Sequence, residues 1–407
     1  GKTLCQVTWA NYVCEHTGGN VIIAAPLCVS QQTVEEAAKF GITVKYCRDD
    51  DEVEPGITIT NYEMLEHFDL DSFVGVVLDE SGILKSHTSK TRAYITEQFR
   101  ATPYKLSCTA TPSPNDFMEL GNQSEFLGVM NAQEMLATFF THDGGDTGKW
   151  RLKGHGKIKF WEWMASWAIC IRNPSDLGFD GSRYELPPIN IVEHVVSGGN
   201  LIEGQLFPVT AQTLTERRQA KKSSIDDRIE LAAQIANSTE NPVIVWCHMN
   251  EESQRLAKLI NGVVEVTGSQ SLDVKSNNVM SFTRGESRAL VSKASICGFG
   301  MNWQHCDTMI FAGMDDSFEK YYQAVRRCHR FGQKNQVTVH IITAETEGAV
   351  KANIERKQTQ SNEMAAKMID RMRQITKSQI VGARSNTETY NPTMPMTIPA
   401  WLKQEAA

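Results

Sequence analysis

Short runs of β-branched and other apolar residues recur along the first half of the chain and strongly constrain its fold. The runs that we predict to be strands are residues 21–25, 57–60, 74–78 and 105–107. Several of them lack polar alternation, which is typical of strands buried on both faces. Amphipathic stretches separate the runs, so the pattern predicts an α/β protein with a mostly parallel sheet flanked by helices.

A second series of this kind begins at residues 243–246, and the chain has room for both. Its 407 residues are too many for one ordinary domain and suit two lobes of about 150 to 200 residues each. We predict lobe one at residues 1–200, with a helical, basic insertion at about 121–200, a linker helix at 201–224 and lobe two at 225–350. Residues 351–407 should form a C-terminal helix and a proline-containing tail.

Composition and charge exclude several classes of protein. No apolar run approaches the roughly 18 residues of a membrane span, and the N-terminus lacks signal-peptide features, so we expect a soluble, cytoplasmic protein without a membrane partner. The 10 cysteines include no Cys-x-x-Cys pair that would indicate a zinc site. A net charge of −7 does not fit a simple basic nucleic-acid binder, so any contact with nucleic acid must be local.

Two adjacent carboxylates, Asp79 and Glu80, directly follow the run at residues 74–78. Parallel sheets bind ligands at the carboxyl ends of their strands, which makes this position suitable for a catalytic site. One carboxylate can hold Mg²⁺ while the other orients or deprotonates an attacking water. We assign Asp79 to the metal and Glu80 to catalysis. An acidic pair is also common in ordinary turns, and that alternative stays open for this pair alone.

The tripeptide Gly1-Lys2-Thr3 has the form of the closing half of a P-loop that leads into a helix at residues 4–14. Backbone N–H groups at the start of such a helix attract phosphate. Lys2 would neutralise phosphate oxygens and Thr3 would ligate Mg²⁺. The tripeptide also arises by chance, so this interpretation depends on the acidic pair.

Hydroxyl-bearing residues follow the predicted strand at residues 105–107, in the segment 107–112. They can hydrogen-bond the acidic pair and relay its state to the rest of the lobe. An ordinary turn rich in Thr and Pro would have the same composition.

The most specific motif lies in lobe two, where residues 323–333 read Gln-Ala-Val-Arg-Arg-Cys-His-Arg-Phe-Gly-Gln. The spacing of three predicts that Arg327 and Arg330 share one face of a helix. Two guanidinium groups so placed can reach a γ-phosphate across a cleft and stabilise transition-state charge. A solvated basic helix is the ordinary alternative, but Gln323 and the Gly-Gln ending flank this cluster in a fixed order.

The predicted insertion offers weaker candidates for contact with nucleic acid. Basic residues alternate at positions 149, 151, 153, 157 and 159, and we take Lys153 as a phosphate contact, although a solvated loop fits equally well. An aromatic stripe at positions 160, 163, 164 and 167 fits a buried helix face better than base stacking. Trp161 lies off that stripe, and we expect it to be exposed.

Together these segments resemble the Swi/Snf-type branch of the superfamily 2 helicases, in the compact form typical of bacteriophage proteins. Residues 323–333 resemble that family's motif VI, and residues 109–120 resemble its motif III region. The acidic pair with Lys85 is similar to motif II. Pro26 lies where the family has motif Ia, and residues 60–63 match the motif that follows it. Ser292-Lys293 and residues 298–302 resemble motif V. The sequence departs from the family at Ser81-Gly82, where many relatives carry Ala-His.

The resemblance implies two RecA-like lobes with ATP and Mg²⁺ in the cleft between them and a nucleic-acid strand across both. The residues that it places at ATP are Gly1, Lys2, Thr3, Asp79, Gln323 and Gly300. The residues that it places at nucleic acid are Pro26, Thr60, Tyr62, Ser292 and Lys293.

The function so implied is that of an ATP-dependent helicase or translocase acting on duplex or branched DNA. The expected partners are nucleic acid and proteins of replication, recombination or packaging, in the bacterial host cytoplasm if a phage encodes the chain. A non-hydrolysing nucleic-acid-binding scaffold and an RNA helicase remain alternatives. A P-loop kinase would leave Arg327 and Arg330 unexplained.

Overall fold

Two parallel β-sheets, each flanked by helices, organise the protein. The computed structural model describes residues 1–26, 29–85, 89–113, 116–143, 146–196, 224–298, 301–314, 317–344, 355–359 and 361–370. The predicted linker helix, apart from Ser224, and the proline-containing tail lie outside the described residues. Within those ranges, no helix combines the length and apolar character needed to cross a membrane.

The first lobe is built on a five-stranded parallel sheet. Its strands are β1 (Asn20–Ala25), β2 (Val44–Tyr46), β3 (Ile57–Asn61), β4 (Phe73–Asp79) and β5 (Tyr104–Cys108), in the order β2-β3-β1-β4-β5. Its helices are α1 (Lys2–Thr17), α2 (Ser30–Ala38) and α3 (Lys90–Gln98). All four predicted strands are confirmed to within a residue or two, whereas β2 lies in a stretch that the sequence pattern did not single out.

Successive residues of the central strands alternate between two apolar clusters. Ile22 and Val76 belong to the cluster on one face, and Val21 and Val77 belong to the cluster on the other. All four side chains are fully buried. The absence of polar alternation in these runs is therefore explained by helices on both faces, as predicted.

A helical insertion with a short hairpin follows β5. It contains α4 (Leu120–Leu127), α5 (Ala132–Phe139), the antiparallel strands β6 (Phe140–Asp143) and β7 (Asp146–Leu152), and α6 (Lys157–Trp167). Phe139, Phe140 and Phe160 pack edge to face at its centre, with ring centroids 5.5 and 5.6 Å apart. The aromatic stripe is thus largely a packing surface, which confirms that interpretation.

The exposure predicted for Trp161 is wrong. Its side chain is only 5% exposed and meets Phe117 edge to face at 5.5 Å. Residues 361–370 form a helix whose Met364 and Met368 join the same apolar cluster. The C-terminal helix therefore covers the side of α6 that the sequence pattern left free, and Ser113 Oγ lies 3.1 Å from Met364 Sδ beside it.

The second lobe is built on a six-stranded parallel sheet in the order β10-β11-β9-β12-β13-β8. Its strands are β8 (Asn190–Val196), β9 (Val243–Cys247), β10 (Val263–Val266), β11 (Ala289–Lys293), β12 (Thr308–Phe311) and β13 (Thr338–Ala344). Its helices are α7 (Ile225–Asn237), α8 (Asn250–Leu259), α9 (Leu272–Thr283), α10 (Ala294–Cys297) and α11 (Phe318–Val325). The α/β class, the two mostly parallel sheets and the insertion are confirmed.

The position of β8 corrects the predicted lobe boundary. We placed residues 1–200 in lobe one, but β8 pairs along its whole length with β13, from Asn190 opposite Thr338 to Val196 opposite Ala344. The second sheet therefore starts before residue 200. Its partner strand lies far away in sequence, so no local pattern reveals the pairing.

A buried ion pair links α7 to α8 inside the second lobe. Arg228 Nη1 lies 2.6 Å from Glu252 Oε1, and both side chains are fully buried. Arg228 also donates to Ser224 Oγ and to the carbonyl of Ala312, which follows β12. Glu252 Oε2 accepts the backbone N–H groups of residues 248 and 249 at the start of α8. Each charge is thus hydrogen-bonded as well as paired, as burial requires.

We expect Glu252→Ala to destabilise the second lobe by about 3 to 5 kcal/mol, because it leaves the Arg228 guanidinium buried without a counter-charge. Urea unfolding followed by tryptophan fluorescence measures the loss. The matched control is Glu251→Ala, which removes an exposed partner of Arg255 and should cost less than about 1 kcal/mol. Equal losses in the two variants would contradict this account.

Two histidines face each other across β8 and β13. His194 Nε2 lies 3.0 Å from His340 Nδ1, which requires one ring to donate and the other to accept. Burial, followed by the proximity of His194, lowers the pKa of His340. Protonation of both rings would remove the acceptor and place two positive charges together.

The lowered pKa of His340 predicts a pH-dependent stability of the second sheet. A folded-state pKa below the unfolded value of about 6.5 means that the unfolded chain binds the proton more tightly. Stability should therefore be full above that value and decline as the pH falls from it through the folded-state pKa. Thermal unfolding between pH 8 and pH 5 tests this, and His340→Gln should show a smaller decline than the wild type.

Candidate active site

The acidic pair lies where β4 ends, at the carboxyl edge of the first sheet. Asp79 is the last residue of β4 and is only 6% exposed. Its Oδ1 accepts a 2.6 Å hydrogen bond from Gln6 Nε2, and its backbone carbonyl accepts a 2.7 Å bond from the Tyr62 hydroxyl. The bond from Gln6 fixes the direction of the buried carboxylate, as the outer partner of a metal ligand does, and the bond from Tyr62 holds the Asp79 backbone.

Glu80 has a strained backbone. Its φ of 52° is the only positive φ of a non-glycine residue in the described ranges, and such strain is often found at functional sites. Lys2 Nζ lies 2.5 Å from Glu80 Oε1. Burial raises the pKa of Glu80, and the charge of Lys2 opposes that shift. A carboxyl with a raised pKa is better suited to accept a proton near neutral pH.

One face of α1 supplies both partners of the acidic pair. Lys2 and Gln6 are four residues apart, so their side chains lie one above the other on the helix. Lys2 contacts Glu80 and Gln6 contacts Asp79. Gly1 is the N-cap of α1, and Thr3 lies in its first turn. The structure therefore brings Lys2 to the acidic pair, and the start of α1, with Gly1 and Thr3, lies on the same helix; phosphate binding by this helix start stays a prediction.

The second lobe reaches the same carboxylate. Gln323 Nε2 lies 3.3 Å from Glu80 Oε2, and Gln323 Oε1 accepts a 3.0 Å bond from Arg327 Nη2. Arg327 and Arg330 both donate to the carbonyl of Met301, at 3.1 and 3.2 Å. The amide of Gln323 thus connects the acidic pair of one lobe to the two neighbouring arginines of the other.

The two arginines do not lie on a helix, which corrects the basis of their prediction. α11 ends at Val325, and residues 326–330 form turns and bends. Their guanidinium groups converge because both bond the same carbonyl, not because of helical spacing. Burial, followed by the charge of Arg330, lowers the pKa of Arg327 to about 10. The charge of Glu80 opposes that shift, and an anion bound between the two guanidinium groups would relieve their repulsion.

The hydroxyl segment after β5 behaves differently from the prediction. Ser107 donates to Gln123 Oε1, and Gln123 Nε2 donates to the carbonyl of Ser81 at 2.9 Å. Ser81 directly follows Glu80, so the Ser107 hydroxyl is linked to the backbone next to the acidic pair through the Gln123 amide. Thr109 Oγ1 accepts the N–H of Thr111. Thr111 Oγ1 lies 3.5 Å from Glu319 Oε1 in the second lobe. The hydroxyls therefore support the turn and the other lobe instead of bonding the acidic pair itself.

Three residues predicted at nucleic acid have buried side chains. Thr60 and Ser292 are fully buried, and Tyr62 is 8% exposed. Ser292 Oγ donates to the carbonyl of Val266, and Tyr62 holds Asp79. Their side chains thus have packing and bonding roles inside each lobe, and contact of these residues with nucleic acid stays a prediction.

The other predicted nucleic-acid residues lie at the surface or are partly covered. Pro26 and Lys293 are partly exposed at the ends of β1 and β11. Lys153 donates to the carbonyls of Ala137 and Thr138 near the end of α5, so its ammonium caps a helix. Gly300, predicted at ATP, lies outside the described residues.

Two site residues, Gln6 and Glu319, were missed by the sequence reasoning. Gln6 follows Lys2 by four residues, and Glu319 precedes Gln323 by four. Each missed residue therefore shares a helix face with a predicted one, and this spacing is the signal that could have found them.

Residues 226–332 match the family described as the helicase conserved C-terminal domain. The matched segment covers most of the second lobe and includes Gln323, Arg327 and Arg330. No curated protein gives a significant match to the chain. The match supports a helicase of superfamily 1 or 2, and with the two parallel sheets it agrees with two RecA-like lobes. It also indicates a nucleic-acid-dependent function of the helicase type.

We expect Gln6→Ala to destabilise the first lobe by about 1 to 3 kcal/mol, because it leaves the buried Asp79 carboxylate without its amide donor. Chemical unfolding of the whole chain measures the change. Asn11→Ala is the matched control, since its amide bonds the exposed Glu15 on the same helix, and it should cost no more than about 0.5 kcal/mol. A loss for Gln6→Ala no larger than that of the control would refute the assigned role.

Proposed function

We propose that the protein is a nucleic-acid-dependent ATPase that hydrolyses ATP to move along DNA, as a helicase or translocase of the Swi/Snf type. The observation that carries the proposal is the contact of Glu80 with Gln323, because it joins an acidic pair in one lobe to two arginines in the other. A site divided in this way can form only when the lobes meet. Hydrolysis of ATP would then be linked to the relative movement of the lobes.

The residues at the edge of the first sheet suit a magnesium nucleotide. Mg²⁺ prefers oxygen ligands, and the buried carboxylate of Asp79 with the hydroxyl of Thr3 would supply them. Mg²⁺ would neutralise charge on the phosphate oxygens of ATP. Lys2 would exchange its bond with Glu80 for the phosphates, since an ammonium at a helix start binds them well. Glu80 would then be free to accept a proton from water.

Arg327 and Arg330 supply the charge that the second lobe brings to the reaction. Both guanidinium groups are half-buried or more and share one acceptor, which leaves further N–H donors for phosphate oxygens. Burial strengthens their attraction for an anion. We propose that they stabilise the transferred phosphoryl group when the lobes close, and that Gln323 aligns Arg327 with Glu80.

The resemblance to the Swi/Snf-type helicases favours duplex DNA as the track. ATPase assays with single-stranded DNA, duplex DNA, branched DNA and RNA as activators decide this. Stimulation by duplex or branched DNA supports the proposal, and stimulation by RNA alone would indicate an RNA helicase. Binding of nucleic acid with no hydrolysis under any condition would indicate a scaffold and overturn the proposal.

We expect Glu80→Gln and Arg327→Ala each to reduce DNA-stimulated kcat by at least about 100-fold, because they remove the base and a transition-state cation. The matched control is Arg326→Ala, since Arg326 lies over the ring of Tyr322 at 5.1 Å instead of meeting the acidic pair. This control should keep nearly all activity. Turnover like that of the wild type in either test variant, with the fold intact by circular dichroism, would exclude the mechanism.

A further inference from the structure

A second contact between the lobes lies next to the acidic pair and has no role in the mechanism above. Glu319, on α11, is 8% exposed and bonds Lys85 of the first lobe. Its other oxygen lies 3.5 Å from Thr111 Oγ1, also of the first lobe. One carboxylate of the second lobe therefore contacts two segments of the first.

The turn that carries Lys85 is shaped around this carboxylate. Residues Ser81–Lys85 form a short 3₁₀ helix directly after Glu80. A Cβ atom on Gly82 would lie 2.5 Å from Glu319 Oε1, so a larger residue there would force the Glu319 carboxylate to move. Gly82 thus provides the space in which Glu319 approaches the backbone, and Lys85 supplies the opposite charge.

Glu319 and Gln323 contact the two ends of the same turn. They are four residues apart on α11 and share one face of the helix. Gln323 contacts Glu80 before the turn, and Glu319 contacts Gly82 and Lys85 within it. The other lobe therefore contacts both the strained residue Glu80 and the turn that directly follows it.

The strength of the Lys85 contact depends on how close the lobes are. The Glu319 side chain is 10% exposed and that of Lys85 is 37% exposed, so the pair is only partly screened by solvent. If the lobes separate, both charges return to water and their attraction is lost. The contact is thus made in the closed arrangement and is absent in an open one.

We infer that Glu319 is a positioning residue that makes the geometry of the catalytic turn depend on closure of the lobes. Its carboxylate bonds Lys85 and packs beside Gly82, and thereby orients Glu80 for reaction only when α11 is docked. This inference rests on the proposed ATPase function. It adds a coupling residue outside the arginine cluster and the acidic pair.

A double-mutant cycle on Lys85 and Glu319 tests the inference. Glu319→Gln and Lys85→Met should each lower DNA-stimulated kcat by about tenfold, the size expected for one coupled charged pair. The KM for ATP should change little, since neither residue is placed at the nucleotide. The double variant should lose no more than either single variant, and the charge-reversed pair Lys85→Glu with Glu319→Lys should regain part of the loss. Additive losses in the double variant would overturn the inference.

The matched controls are exposed charges of the same type on the same lobes. Glu251→Gln removes an exposed carboxylate of lobe two, and Lys39→Met removes an exposed ammonium of lobe one that pairs with Glu36. Both should leave kcat unchanged. Gly82→Ala gives an independent perturbation, because its Cβ would displace the Glu319 carboxylate with no change of charge. It should lower kcat in the same direction as Glu319→Gln, and full activity in Gly82→Ala would count against the inference.

Small-angle scattering of the chain alone separates failure of the inference from failure of the proposed function. The Lys85–Glu319 pair joins the two lobes, so Glu319→Gln should increase the radius of gyration while Glu251→Gln should not. If the wild type hydrolyses no ATP, the proposed function fails. The scattering comparison alone then shows whether Glu319 holds the two lobes together. An unchanged radius of gyration in Glu319→Gln, beside an active wild type, would overturn the inference and leave the function standing.

Discussion

The carboxylate of Glu80 receives bonds from both lobes, and the arrangement of the site depends on it. Lys2 of the first lobe and Gln323 of the second each take one of its oxygens. Its backbone lies in a left-handed conformation that a glutamate adopts only at a free-energy cost. The surrounding bonds must offset that cost. A reactive group is thus held in place by elements that are far apart in sequence.

The rest of the fold brings those elements together. In the first lobe, the parallel sheet places the end of β4 beside the start of α1, so that one helix face meets the acidic pair. In the second lobe, the Arg228–Glu252 pair fixes the backbone at Ala312, just after β12 and before α11. The buried ion pair is therefore a remote support for the helix that carries Gln323. Its desolvation cost is tolerated because every charged atom finds a partner.

The sequence predicted much of the fold, because buried strands and the polar, Gly and Pro residues that end them are local signals. The strands β1, β3, β4 and β5 and the site of Asp79 and Glu80 followed from such runs. The strand β8 was assigned to the wrong lobe because its pairing with β13 is a contact across a long stretch of sequence. Trp161 was predicted to be exposed because the helix that covers it belongs to a distant segment. Helical spacing predicted that Arg327 and Arg330 lie side by side, which is correct, but the reason was wrong. They converge because both donate to the carbonyl of Met301.

The helix at residues 361–370 has a consequence for how far the lobes can move. The chain passes from the first lobe to the second before β8, and it leaves the second sheet at Ala344. It then returns, since Met364 and Met368 pack into the insertion of the first lobe. The lobes are therefore connected in two ways, by the peptide linker before β8 and by the apolar packing of this helix. A second tether keeps separated lobes at a high effective concentration, so each opening is brief and the same two surfaces meet again.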